Sequence, residues 1–131
     1  MKTKLLSITT LFLTVIILLT SCAADELWGG ATYLADTTVG VGANTVSVEI
    51  EAGGKSITLT VKTEKETLGE ALYELGIIND PTFFDTANGI KADWYKDSAY
   101  WAFYKGDEYM MHGAGDESIS GGELYRLVYT K

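Results

Sequence analysis

The sequence predicts an α+β domain of two layers, one helix packed on a sheet. Three observations carry that expectation. Two strictly alternating runs flank a glycine pair, a run of helical period follows them, and further extended runs continue to the C-terminus. The chain has 131 residues, and not all belong to the folded unit.

It opens with the basic head "MKTK" and an almost wholly apolar stretch over residues 5–19. A basic head, an apolar core and a small-residue exit are the pattern of a secretory signal, here expected over residues 1–21. The apolar run is shorter than the roughly 20 residues that a membrane-spanning helix needs. The exit "LTSC", Leu19 to Cys22, resembles the lipobox of bacterial lipoproteins. The resemblance implies that Cys22 becomes a lipidated N-terminus on the extracytoplasmic side of a bacterial membrane. Each buried methylene contributes about 0.8 kcal/mol, so two acyl chains hold where one is marginal. Cys22 is the one cysteine in the sequence, so its lipidation leaves no thiol for a disulfide, a metal or a nucleophile.

Without Lys2 and Lys4 the mature chain would set eight basic residues against 18 acidic ones. That balance argues against nucleic acid and against docking on anionic headgroups. Residues 22–43 mix Gly, Ala and Thr without a helical or strand period and are expected to be the lipidated terminus and a tether. Trp28 and Tyr33 are unusual in a linker; the membrane interface and the domain surface are both open to them.

The domain is expected over residues 44–131. Val46, Val48 and Ile50 alternate with Ser47, Glu49 and Glu51; after "AGGK", Ile57, Leu59 and Val61 repeat the pattern, which reads as a hairpin. Leu68, Ala71, Leu72 and Leu75 then fall at i, i+3, i+4 and i+7, an amphipathic helix. Thr63 with Glu66 resembles a capping box, and Gly76 offers a left-handed stop. Asn88-Gly89 marks a turn between short extended pieces. "SAYWAFYKG" reads as a strand, "YMMHG" as a short strand or extended loop, and "LYRLVYTK" as the last strand, with Tyr125, Leu127 and Tyr129 on one face. Two strands, a crossing helix and a later strand returning beside the first is the β-grasp order.

The pieces "TLGEALYELGI", "ANGI", "AYWAFYKG" and "GAGDESISGGELYRLVYT" resemble, in order and spacing, the DUF4430 family of secreted bacterial β-grasp domains. That family is related to the C-terminal domain of transcobalamin and gastric intrinsic factor. The resemblance runs from Thr67 to the C-terminus. It implies ligand binding without chemistry, and a corrinoid (cobalamin-like) ligand rather than a cofactor. By position it implies Trp101, Phe103 and Tyr104 on the strand, and Tyr109, Met110, Met111 and His112 in the loop after it, as ligand-binding residues. The large helical domain that grips the other face of the corrin in those carriers has no counterpart here. The implied partners are a membrane transporter that receives the ligand or, for a cell-surface interaction domain without a small molecule, another surface protein.

The residues themselves support part of this. Aromatic rings offer contact area at low entropy cost, and Met adapts to irregular shapes. Trp101 and Phe103 share one strand face, Tyr100 and Tyr104 the other, so one pair is expected in the core. His112 is the one histidine and is expected on a surface loop. Asp107, Glu108, Asp116 and Glu117 lack the spacing of a calcium loop and read as solvated turn carboxylates. No metal is expected. "GVGAN" and "GAGDES" do not match a phosphate loop. No arrangement of nucleophile, base and acid stands out, so no catalysis is expected.

Overall fold

In the computed structural model of the chain the described residues are 24–131. The expected signal segment and Cys22 lie outside them. Among the described residues no helix is long and apolar enough to cross a membrane.

The main sheet is built from β1 (Thr37–Gly40), β2 (Asn44–Ala52), β3 (Lys55–Thr63), β6 (Tyr100–Lys105), β7 (Glu108–Tyr109) and β8 (Leu124–Thr130), in the order β1-β3-β2-β8-β6-β7. A separate hairpin pairs β4 (Thr86–Ala87) with β5 (Ile90–Lys91). The helices are α1 (residues 24–28), α2 (Leu68–Glu74) and α3 (Trp94–Asp97), and a 3-10 turn spans Ala114–Asp116. β2 and β3 form the expected hairpin, and β8 returns parallel to β2. The fold is therefore α+β and β-grasp-like, with α2 as the packed helix of the second layer.

Period-two patterning becomes a single apolar layer through the register. Val48 stands opposite Leu59 on one side and Tyr125 on the other; Ile50 stands between Ile57 and Leu127. Leu127 in turn faces Phe103, and Tyr129 faces Trp101. Against this layer α2 buries Leu68, Ala71 and Leu72, all at 0% exposure. At roughly 25 cal/mol per Å² removed from water, such burial is the main favourable contribution to folding.

α2 starts one turn later than the sequence pattern suggests. Its N-cap is Thr67, whose Oγ1 accepts from the Glu70 amide. Thr63 ends β3 and turns its hydroxyl to the Lys65 amide instead. The capping box expected at Thr63 and Glu66 is thereby corrected to an N-cap at Thr67. Gly76, at φ +71°, makes the left-handed stop. Asn88 and Gly89, at φ +52° and +77°, form the tight turn between β4 and β5.

The expected tether needs a larger correction over its described part. Trp28 is buried, and its indole Nε1 donates to the Ala52 carbonyl at 2.9 Å. The buried Asn88 amide holds both backbone groups of Tyr33, accepting from its N–H and donating to its C=O, each at 2.9 Å. β1 adds a parallel edge to β3, with Asp36 accepting from the Thr58 amide at 2.8 Å. Residues 24–43 thus belong to the fold. The reason is long-range: the partners lie 24 and 55 residues away, beyond any local period.

Candidate functional site

The two ring sets of β6 separate as strand geometry requires. Trp101 and Phe103 face inward and are buried, while Tyr100 is exposed and Tyr104 half-buried on the outer face. Trp101 donates through Nε1 to the Ile90 carbonyl at 3.0 Å and meets the Tyr129 ring edge-on at 5.7 Å. Phe103 stacks on Tyr125 at 5.8 Å. These contacts lock both rings by their far sides.

Their near sides border a hollow of about 250 Å³. One wall is Thr82, Phe83 and Phe84; the other is the loop from Tyr109 to Ala114, including Met110, Met111 and His112. Six of the seven residues expected to bind ligand border this one concavity, Tyr109 with its ring turned to the outer face. Tyr104 does not. It points to the other face, packs edge-on against Tyr109 at 5.5 Å, and lies under the Arg126 guanidinium at 5.3 Å. Arg126 also reaches Glu51 at 3.3 Å. That outer cluster is a solvated polar surface.

The walls are held by close backbone approach. A Cβ on Gly69, in the first turn of α2, would run into the Pro81 carbonyl oxygen and the Gly115 backbone, and one on Gly113 would come within 2.7 Å of the Thr82 carbonyl oxygen. Glycine at these positions lets the two walls and the helix meet. The rim is open: Phe83 is 83% exposed and Met111 89%.

Behind the loop lies a carboxylate that sequence reasoning misplaced. Glu117 was expected to be solvated, yet it is buried. It accepts from the Tyr125 hydroxyl at 2.8 Å, bonds His112 Nε2 at 3.0 Å and pairs with Lys105 Nζ at 3.2 Å. Burial pushes its carboxyl up, but the Tyr125, His112 and Lys105 hydrogen bonds together outweigh that and hold it below the ordinary range. Burial, with Glu117 second, pushes the Tyr125 hydroxyl up, so it remains a donor. The network ties β6, β8 and the 108–117 loop to one point. Its only sequence signal is the alternation that points Lys105 and Tyr125 to the same face. Phe83 and Phe84 were missed as well, although two adjacent aromatics after Pro81 in a loop were a visible signal.

A second concavity, of about 370 Å³, lies at the far end of α2 between Gly40, Lys62 and Leu75. It is larger but has no aromatic or methionine in its lining, so it offers little to hold an apolar plate. Among the described residues no group of three His, Cys, Asp or Glu side chains is placed to hold a metal ion.

No family model matches the chain, and no curated protein matches it. Solved structures do. A protein from Ruminococcus gnavus ATCC 29149, provisionally described as metal binding, superposes with a TM-score of 0.62 at 20% identity, covering 68% of this chain and 98% of that one. Haptocorrin in complex with Cbi superposes with a TM-score of 0.51 at 16% identity over 71% of this chain, which spans 26% of haptocorrin. At these identities the shared property is the fold.

Proposed function

We propose that this chain is a binding module that captures a flat, partly apolar small molecule without transforming it. By its resemblance to the carriers the ligand is a corrinoid. Lipidated at Cys22, the module stands on the extracytoplasmic face of a bacterial membrane and passes its ligand to a transporter there. The observation that carries the reading is the open hollow with Trp101 and Phe103 as its floor and Phe83, Met110 and Met111 on its walls.

The size of the hollow says how such a ligand would sit. Sites that engulf a small molecule measure roughly 300–1,000 Å³. At about 250 Å³ this one admits a substituent or one edge of a macrocycle. The plate would then lie across the exposed Phe83 and Met111, with its other face uncovered. One-sided burial makes for modest affinity and leaves room for the receiving protein.

The test is tryptophan fluorescence of the full chain titrated with cobinamide and cobalamin, corrected for absorption by the corrin and repeated by calorimetry. Saturable quenching that weakens in a Phe83→Ser/Met111→Ser double variant is the expected result. No binding by either method up to millimolar ligand overturns the corrinoid assignment.

A second reading, a surface protein-interaction domain, has one specific observation behind it: Trp94 (60% exposed) and the exposed Tyr100 meet edge-on at 6.2 Å, with the exposed Tyr95 (99%) next to Trp94 in α3, and none of the three lines the hollow. Exposed aromatics of this kind anchor protein partners. A stoichiometric partner captured from envelope extracts, and lost in a Trp94→Ala/Tyr95→Ala variant, would favour it.

A further inference from the structure

We infer that Met110, Met111 and His112 form a binding site for a soft monovalent metal cation, of the class of Cu(I). The three are consecutive, and all border the hollow beside β6. An extended strand would send Met111 away from its neighbours, but the chain bends at Met111 and His112. The loop is fixed at its start, where the Met110 amide donates to the Phe103 carbonyl at 2.9 Å.

The histidine carries the argument. Its Nε2 lies 3.0 Å from Glu117 Oε1. An ionised carboxylate only accepts, so Nε2 bears the proton and the lone pair of the neutral ring is on Nδ1. A carboxylate bonded to one ring nitrogen orients the other towards a metal and raises its basicity, the usual second support of metal-ligating histidines. Glu117 is buried and engaged by Tyr125 and Lys105 as well, so it holds the ring in place rather than joining the ligand set itself.

The donor types choose the ion. Two thioethers and one imidazole, with no carboxylate or thiolate among them, suit Cu(I) and not Ca²⁺ or Mg²⁺. Three donors satisfy an ion content with low coordination. Met111 gains almost nothing from packing, at 89% exposure, so core burial does not account for its side chain. The proposal uses the same hollow as the corrinoid reading but does not depend on it.

The test uses the full chain with Cys22→Ser, which removes the one thiol in the sequence. Under anaerobic reducing conditions it should compete with bathocuproine disulfonate for Cu(I). Ag(I), which needs no reductant, should shift the methyl resonances of Met110 and Met111 and leave that of Met1 unmoved. Met110→Leu/Met111→Leu should lower Cu(I) affinity by more than about tenfold with thermal unfolding unchanged, and Glu117→Gln by about tenfold because the His112 ring loses the carboxylate that orients it. Absence of competition, or a double leucine variant that binds as the parent does, overturns the proposal. Cobinamide titrated into the Cys22→Ser parent keeps the two readings apart: Cu(I) binding without cobinamide binding sinks only the corrinoid, and the reverse sinks only the metal.

Discussion

The inner face of the sheet has two halves that are covered differently. Over β2 and β3 the cover is α2, and Val48, Ile50, Leu59, Val61, Leu68 and Leu72 are all sealed at 0% exposure. Over β6 the cover is the short β4–β5 hairpin with the loops at residues 82–84 and 110–114, and Trp101 and Phe103 keep 8% and 7% of their surface. Length accounts for the difference. Seven helical residues reach about 10 Å, whereas six strands spaced about 4.8 Å apart span about 24 Å. One helix of this length cannot roof such a sheet. Loops finish the job, and loops pack with gaps. The hollow is therefore a consequence of a short helix on a wide sheet, and it falls where the aromatic strand lies.

This comparison can be broken from either side. The largest effect belongs to the sealed half: Leu72→Ala should cost about 2–5 kcal/mol in urea unfolding, because the cavity it leaves cannot collapse. If Met111→Ala costs as much, the two halves are not different in kind; about 0.5 kcal/mol or less is expected there.

Next comes the seam between the halves. Gly69→Ala forces a methyl against the Pro81 carbonyl and should cost about 1–3 kcal/mol while displacing the wall that carries Phe83. Its signature is joint loss of stability and of ligand binding. A variant that lost stability alone would show that the helix and the wall are independent.

Glu117→Gln sharpens the open half. Weakening a buried carboxylate that meets three donors should cost roughly 1–3 kcal/mol at neutral pH. The pH dependence has a definite sign. The folded carboxyl titrates below its ordinary value of 4.5, so its stabilisation is complete above that value and is lost as pH falls through the folded one. Asp85, held down chiefly by the Thr86 hydroxyl, and Glu123, where backbone amides of Ser120 and Gly121 outweigh burial, act in the same direction. Stability should therefore fall with acidification below pH 4.5, and less steeply in Glu117→Gln. Equal slopes for parent and variant would remove Glu117 from the account. The smallest effect on stability is expected from Phe83→Ser, within about 0.5 kcal/mol, with weaker ligand binding as its only large consequence.

Much of the architecture was legible from the residues. Alternation at Val46 to Ile50 and Ile57 to Val61 has a period of two, the spacing Leu68, Ala71, Leu72 has a period near 3.6, and positive-φ turns chose Gly or Asn at Gly76, Asn88 and Gly89. The strand residues Trp101 and Phe103 and the residues Tyr109 to His112 are named by position through the family resemblance, and the aromatic and methionine content of the stretch supports that naming. The resemblance names Tyr104 with them, and the alternation of the strand places it on the opposite face.

Local chemistry thus decided the elements, their order and which side of each strand is apolar, because propensity, period and turn geometry act over a few residues. Tertiary structure alone decided that Trp28 and Tyr33 belong to the fold, that Thr82 to Phe84 face the loop after β7, and that Glu117 is buried beneath His112. Each of those facts depends on groups tens of residues apart finding a hydrogen-bond partner or a packing surface in space, and no short window of sequence contains both partners.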